Sequence, residues 1–432
     1  MVPTGGPAVT TRDATLGRGL SSVRRVLDSG IVVLAQEVRG APMVALNATF
    51  GAGSVDDPRD LPGVAYLTRR TIDRGTIRRT ADDIAGTLDD RGVSLRVEAS
   101  RHTFALSCVC LTEDFDEILA LIADIVRDPV FPTEEIDKRR GQAITSIHED
   151  EDDPSKVATD LLMETLYGAD HPYGRPLKGT LSTVDEVRRH HLVEYHRRHL
   201  VPSALRLAVV GDVSPAEVTS GAARVFSGWH GCSAEPEPVL PPSPQLRRWR
   251  IKPMAGKPQA DICYGFSTVR RVDPRYYAYW MMNTVLGQFG LGGRLAENIR
   301  ERQGMAYYAY STLEATVGEG PLVVRAGVDP KHVERAIAAI DFEVASFGKE
   351  GPTAGELEES RASLIGSVPR MLETNESIAE FLQHAEQFGL GLDYDRRLPA
   401  LLEAVTVEDV REAAREVLNP ARAVVAVAGG SD

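Results

Sequence analysis

The chain has 432 residues and lacks several features that would assign it to a familiar class of protein. No run of about 18 apolar residues occurs, so the sequence predicts no membrane-spanning helix. Basic residues number 49 against 62 acidic residues, and the net charge of −13 argues against a nucleic-acid or membrane surface, which needs a basic face. No Gly-x-Ser-x-Gly segment supports a serine nucleophile. The acidic balance is compatible with basic peptide ligands, although it also serves solubility alone.

Cysteine is scarce as well. The four cysteines form no Cys-x-x-Cys pair. Cys108 and Cys110 are two positions apart in an apolar run, so on a strand they share a face, and we predict buried thiols rather than a zinc pair. The first 24 residues lack the apolar core of a signal peptide. Together these observations predict a protein of the reducing cytoplasm.

The chain does contain a conspicuous proline-rich stretch near its middle. Residues 232–245, CSAEPEPVLPPSPQ, include five prolines, which cannot continue a helix or a central strand. We therefore predict a domain at 1–231, a linker at 232–245 and a second domain at 246–432.

The two predicted halves end in similar segments. TVDEV at 183–187 and TVEDV at 406–410 each indicate a helix start, with the threonine as N-cap and acids in the first turn. In both copies nine positions separate a proline after the helix from a glycine that closes an apolar strand. These residues are Pro202 and Gly211 in the first copy, and Pro420 and Gly429 in the second. The pattern predicts an internal repeat.

Apolar periodicity gives each half strands followed by long helices. The predicted strands are 31–36, 43–50, two within 94–111, 204–210, 260–266, 322–328 and 421–428. The predicted helices include 114–127, 133–149, 156–167, 275–286, 331–347 and 353–364. Strands followed by helices within one unit indicate the α+β class.

Four segments carry a family resemblance. They are GAGSVDDPRDLPGVAYLTRRTIDRGT at 51–76, HPYGRPLKGT at 171–180, LRLAVVGDV at 205–213 and GGRLAENIRERQGMAYYAYS at 292–311. In this order the chain resembles the pitrilysin/insulinase superfamily of zinc peptidases, most closely its short, mitochondrial-processing-peptidase-like branch. The resemblance implies two homologous α+β sandwich halves that close like a clamshell around an unfolded peptide, with two chains supplying the full chamber.

Active members of that family carry the zinc motif His-x-x-Glu-His on the first helix and a further glutamate downstream. The resemblance places the two histidine positions at Tyr66 and Arg70, and the catalytic base at Arg69. The downstream ligand falls at Thr145 or Ser146. Guanidinium groups have no acceptor lone pair and repel a dication, and a phenol with a pKa of about 10 is a poor ligand. We therefore expect no zinc site and no catalysis in this chain alone.

A second family pattern is intact. The resemblance implies that an Arg and a Tyr seven residues apart reach the substrate, and the spacing selects Arg300 and Tyr307. Both side chains are donors that stabilise developing negative charge. The alternative is that Arg300 pairs with a neighbouring acid and Tyr307 is a half-buried core aromatic. By analogy with non-catalytic processing-peptidase subunits, we predict a chamber-facing loop at the preceding glycines, which are Gly287, Gly290, Gly292 and Gly293.

Two other segments invite a metal interpretation. The helix RRHHLVEYHRRHL at 188–200 contains His191, Glu194 and His196, but the two histidines are five positions apart and point about 140° away from each other. We predict a solvated helix there. The run HEDEDD at 148–153 is predicted to be a charged helix end, since contiguous residues point in different directions.

These observations favour a non-catalytic subunit of a heterodimeric zinc metalloendopeptidase. The expected partners are a homologous catalytic subunit, which carries the zinc, and an unfolded peptide substrate. A structural or peptide-binding scaffold with no peptidase role is the alternative, and a homodimer that holds peptides is a third possibility.

Overall fold

The computed structural model describes residues 19–233, 238–242, 246–288 and 292–430. Parts of the predicted linker, and Gly290 of the predicted loop, lie outside these ranges. Within them two β-sheets are covered by helices, so the α+β prediction is confirmed. No helix in these ranges is both long enough and apolar enough to cross a membrane. The division at residues 231 and 246 stays a prediction.

The first sheet contains β1 (Val23–Val26), β2 (Val32–Glu37), β3 (Met43–Phe50), β4 (Arg96–Ala99), β5 (Phe104–Leu111) and β6 (Leu205–Gly211). The second contains β7 (Arg248–Pro253), β8 (Ala260–Ser267), β9 (Ala306–Leu313), β10 (Pro321–Val328) and β11 (Val424–Gly429). The first eight helices are α1 (Val64–Thr71), α2 (Ala81–Asp89), α3 (Phe115–Arg127), α4 (Thr133–Glu151), α5 (Pro154–Tyr167), α6 (Leu181–Glu186), α7 (Arg189–His199) and α8 (Pro215–Val225). The remaining α-helices of the described ranges are α9 (Tyr276–Asn283), α10 (Val333–Glu350), α11 (Ala354–Ser367), α12 (Asn375–Gln387), α13 (Tyr394–Glu403) and α14 (Val407–Val417).

The two sheets share one topology. The first has the strand order β1-β2-β6-β3-β5-β4 and the second β7-β11-β8-β10-β9. Without β1 the orders correspond strand by strand, and the parallel pair β2–β6 has its counterpart in the parallel pair β7–β11. The predicted relation between the two halves is therefore confirmed at the level of strand order.

Burial along β5 explains why its sequence forms a strand with one face in the core. Phe104, Leu106, Cys108 and Cys110 alternate with more exposed residues, and all four are buried. Burial raises the pKa of both thiols to about 12, so they remain protonated at neutral pH. The prediction of buried strand thiols is confirmed.

The repeated segments fold alike at their ends. A proline opens a short 3₁₀ turn before β6 and before β11, and each of these strands ends in a glycine, with φ of 149° at Gly211 and 142° at Gly429. A Cβ atom at Gly211 would lie 2.1 Å from the carbonyl oxygen of Met43, and one at Gly429 would lie 2.4 Å from the Cα atom of Ala260. Glycine is needed at both positions because the neighbouring strand passes so closely.

The predicted N-cap of the first copy is wrong. Thr406 does cap α14, with its hydroxyl accepting the Asp409 N–H. In the first copy, however, Thr180 caps α6, and Thr183 lies within the first turn and donates its N–H to the Thr180 hydroxyl. The predicted single helix is also split into α6 and α7, because the backbone becomes extended at Val187 and Arg188.

Each half lends one helix to the sheet of the other half. Helix α5 precedes the proline-rich stretch but covers β8 and β11, where Leu162 lies in one buried cluster with Val424. Helix α12 follows that stretch but covers β3 and β6, where Leu382 lies in one cluster with Leu34 and Val210. The two halves are therefore joined by a reciprocal exchange of apolar surface.

Candidate functional site

The positions predicted to correspond to a zinc motif lie on α1, and contacts at the start of this helix hold it in place. Gly63 precedes the helix with a φ of 108°, and the buried Asp57 carboxylate accepts the Gly63 and Ala65 N–H groups at 2.7 Å each. A carboxylate at a helix N-terminus is stabilised by these donors. Burial is the larger influence, however, and it raises the pKa of Asp57 to about 7.

One turn further along, the structure brings Tyr66, Arg69 and Arg70 together. The Tyr66 ring is 6% exposed, and the guanidinium carbons of Arg69 and Arg70 lie 4.5 and 5.6 Å from its centroid. Arg69 donates to the carbonyl oxygen of Val97 at 3.3 Å. Arg70 donates to Gln142 Oε1 at 2.9 Å and to the Tyr66 hydroxyl at 3.4 Å. The two cations are thus held on an aromatic ring and on neutral acceptors.

The structure separates the two candidate positions for the downstream ligand. Thr145 is exposed and donates to a backbone carbonyl of its own helix. Ser146 lies one turn beyond Gln142, on the side of α4 that meets α1, and accepts a hydrogen bond from Lys178 Nζ at 2.8 Å. Lys178 also forms an ion pair with Asp150. Sequence reasoning missed Lys178, although it lies in the segment HPYGRPLKGT.

These residues do not fit the zinc ion that the family implies. Neither guanidinium offers a lone pair, and the Lys178 ammonium adds a third positive charge near the same end of α4. Among the residues that the structure describes, no group of three or more His, Cys, Asp or Glu side chains is placed to hold a metal ion.

The two predicted substrate residues lie on consecutive elements. Arg300 belongs to the π-helical segment Ala296–Arg302, and its Nε atom is 3.6 Å from Glu301 Oε1. Tyr307 lies in β9 where the pairing with β10 shifts register, and it is 77% exposed. The alternative that Tyr307 is a half-buried core aromatic is therefore wrong. Within the described ranges, no hydrogen bond or ring contact joins its side chain to α1. The substrate roles of both residues stay predictions.

The HPYGRP segment connects the two halves. Tyr173 is fully buried, its hydroxyl lies 2.6 Å from His102 Nε2 and 2.8 Å from Thr316 Oγ1, and it accepts the Gly318 N–H at 3.0 Å. The Tyr173 ring also lies under the guanidinium of Arg101, at 5.6 Å. Burial, with a smaller contribution from Arg101, lowers the pKa of His102 to about 4, so this histidine is neutral. Tyr173 of the HPYGRP segment therefore links the two halves through hydrogen bonds.

The histidine-rich helix α7 is only partly solvated. His190 is exposed, as predicted. His196 is instead buried, and its Nε2 atom lies 2.7 Å from the Val126 carbonyl oxygen, so the prediction of a solvated helix is wrong at this residue. The reason is that the side of α7 that carries His196 faces Val126 of α3 and the Phe131 ring, whose centroid lies 5.9 Å from that of the imidazole. The acidic run at 148–153 ends α4, and its Asp153 caps α5, as predicted for a charged helix end.

Comparison with known proteins agrees with this architecture. The profile described as insulinase (peptidase family M16) matches residues 32–181, and the profile described as peptidase M16 inactive domain matches residues 186–364. An uncharacterized zinc protease of Streptomyces coelicolor is 28% identical over 93% of this chain and 88% of its own length. One from Mycobacterium leprae is 29% identical over 93% of this chain and 90% of its own length.

A solved structure leads to the same family. The crystal structure of a peptidase M16 inactive domain from Pseudomonas fluorescens has a TM-score of 0.88 and 26% identity, covering 96% of this chain and 99% of that chain. The two profiles, the relatives and this structure cover both sheets and the group Tyr66, Arg69 and Arg70, here called the α1 cluster. The chain therefore belongs to peptidase family M16, the insulinase family.

Proposed function

We propose that this chain is the non-catalytic subunit of a heterodimeric zinc metalloendopeptidase of the processing-peptidase type. One observation carries the proposal: at each position predicted to correspond to the family's zinc site, the residue is either a cation or a poor metal ligand, and none is a histidine or a carboxylate. These positions are Tyr66, Arg69 and Arg70, together with Thr145 or Ser146. A homologous partner would supply the zinc and the catalytic base.

In this proposal the chain forms half of the chamber and binds the unfolded peptide near the partner's zinc. Tyr307 supports this role because its phenol is exposed rather than packed in the core. The Tyr307 hydroxyl would donate to the oxyanion that develops on the scissile carbonyl, and the Arg300 guanidinium would bind the peptide backbone. We also propose that the two subunits are cytoplasmic, since the four cysteines of this chain are free thiols.

Mixing the purified subunits tests the proposal. The chain alone should cleave no peptide, and addition of the M16 subunit that carries His-x-x-Glu-His should produce turnover that a chelator abolishes. Cleavage by this chain alone, sensitive to a chelator, would overturn the non-catalytic role. Peptide binding without any effect of such a subunit on turnover would favour the scaffold function.

Two variants test the substrate pair within the complex. Removing one oxyanion donor typically lowers kcat about 10²-fold or more, so Tyr307→Phe should lower kcat by about that factor while the subunits still associate. Arg300→Ala should mainly raise KM, because it removes a contact to the bound peptide. Arg302→Ala is the matched control, since Arg302 lies in the same segment and pairs with Glu297 at the surface. Unchanged kinetics in the first two variants would contradict the assigned roles.

A further inference from the structure

A cavity of about 570 Å³ lies between the N-terminus of α5 and the second sheet, away from the α1 cluster. It is open to solvent on one side and begins one residue along β9 from Tyr307. Its polar lining comes from both halves of the chain. The residues that matter here are Ser155, Lys257, Gln259, Asp261, Tyr308 and Tyr310.

A buried carboxylate without a cationic partner lies in this lining. Asp261 on β8 is 3% exposed, and its carboxylate accepts hydrogen bonds from the Tyr308 hydroxyl and from Gln259 Nε2, the latter at 3.1 Å. Both donors are neutral. Throughout the described ranges, no Lys, Arg or His nitrogen lies within 4.0 Å of this carboxylate. Buried charges are normally paired, so the site lacks one positive charge.

The nearest cations are engaged elsewhere. Lys257 forms an ion pair with Asp152 at 2.7 Å. Arg325, on the neighbouring strand β10, donates to Thr159 Oγ1 at 2.6 Å and to Cys263 Sγ at 3.2 Å. Neither side chain forms an ion pair with Asp261. A ligand is therefore the available source of the missing charge.

Aromatic side chains form the wall next to this carboxylate. The rings of Tyr308 and Tyr310 have centroids 5.6 Å apart and are tilted by 47°. The Tyr310 hydroxyl makes no hydrogen bond with any other residue that the structure describes. Burial and the hydrogen bond to Asp261 raise the pKa of the Tyr308 phenol, so it remains a donor to the carboxylate. Ring faces attract ammonium and guanidinium groups, and they reject anions.

We propose that this cavity binds a cationic side chain, a guanidinium or an ammonium, of a peptide held in the chamber. The cation would pair with Asp261 and lie against Tyr308 and Tyr310. The volume falls within the usual range of ligand pockets, about 300–1,000 Å³, and leaves room for the adjoining peptide backbone. This inference rests on the proposed function and specifies which substrates that chamber prefers.

Peptide binding to the purified full-length chain tests the cavity. The probes are fluorescent alanine–glycine decapeptides with one arginine at successive positions, each compared with the same peptide carrying citrulline, which has a similar shape and no charge. The best arginine peptide should bind about tenfold more tightly than its citrulline counterpart. Asp261→Asn should remove this preference by weakening only the arginine peptide, because the amide carries no charge.

A second variant keeps the test independent of folding. Tyr310→Leu removes a half-buried ring at the edge of the cavity and should weaken the arginine peptide about threefold or more. Asp170→Asn, at an exposed carboxylate, is the control and should change neither affinity. Equal affinity of wild type for arginine and citrulline peptides would refute the cavity assignment, even if turnover with the partner is restored. An arginine preference without any restored turnover would refute the proposed function alone.

Discussion

At the residue scale, Tyr66, Arg69 and Arg70 of α1 show how three polar side chains occupy the positions predicted to correspond to the zinc motif of active relatives. Arg69 and Arg70 carry the same charge, and each donates a hydrogen bond to a different neutral acceptor. Both guanidinium groups also lie near the Tyr66 ring. These side chains therefore occupy the space at the predicted zinc positions, and their charges disfavour a metal ion there. A single reversion would leave at least one guanidinium beside any histidine introduced there, so the loss of zinc chemistry does not depend on one residue.

His102 makes the Tyr173 contact between the halves dependent on pH. The pKa of His102 is about 4 in the folded chain, against an ordinary value of 6.5 that applies to the unfolded chain. As the pH falls, the unfolded chain therefore binds the proton before the folded chain does. The stabilising contribution of neutral His102 is complete above about pH 6.5 and is lost as the pH falls towards about 4. At about 1.4 kcal/mol per pH unit, this difference reduces the free energy of unfolding by up to about 3 kcal/mol.

Urea unfolding of wild type and His102→Gln between about pH 7 and pH 4.5 measures this effect. The variant should lose less stability than wild type on acidification, because its amide does not titrate. His190→Gln, at an exposed histidine of α7, is the control and should follow wild type. Parallel curves for wild type and His102→Gln would rule out His102 as a source of the acid sensitivity.

At the element scale, the exchanged helices α5 and α12 link the two halves through apolar contacts. Leu382 on α12 is 0% exposed and contacts the face formed by β3 and β6. Leu382→Ala should lower the free energy of unfolding by about 2–5 kcal/mol, the usual cost of removing a buried leucine side chain and leaving a cavity. Chemical denaturation is the measurement. Glu380→Ala, on the exposed side of the same helix, should change stability little.

The destabilisation by Leu382→Ala should appear in the unfolding of the whole chain rather than in local fraying of α12. Polar contacts hold the same helix in place: Gln383 Nε2 donates to the Asn47 carbonyl oxygen at 2.7 Å, and Thr49 Oγ1 donates to Gln383 Oε1 at 2.7 Å. A variant with wild-type stability would show that α12 contributes little to the first sheet.

At the scale of the whole molecule, the exchange makes each half incomplete. Without α12, the face of the first sheet that carries Leu34, Ala208 and Val210 would be exposed to water. A fragment of residues 1–231 produced alone should therefore lack a cooperative unfolding transition and should aggregate. Co-production with residues 246–432 should restore a 1:1 complex of the two fragments that unfolds in one transition.

Circular dichroism and size-exclusion chromatography distinguish these outcomes. A fragment of residues 1–231 that remains monomeric and unfolds sharply would contradict the importance of the exchanged helix. The fragment experiment tests only contacts within this chain. Its outcome therefore does not bear on the proposed partnership with a separate zinc-bearing subunit.

The sequence alone determined the features that depend on residue type and on neighbours close along the chain. The identities of Tyr66, Arg69 and Arg70 decided the chemistry at the zinc positions, since no fold gives a guanidinium a lone pair. Apolar alternation indicated β5, and the repeated proline and glycine indicated the related ends of the two halves. Class and repeat could therefore be predicted before any contact was known.

The tertiary structure decided which residues meet across long separations in the chain. Local pattern could not tell that α5 and α12 cover the sheets of the opposite halves, or that Ser146 rather than Thr145 meets Lys178. It also could not show the register shift that leaves Tyr307 exposed, or the burial of His196. These outcomes depend on how whole elements pack, because each is fixed by apolar surfaces and hydrogen bonds supplied from distant parts of the chain.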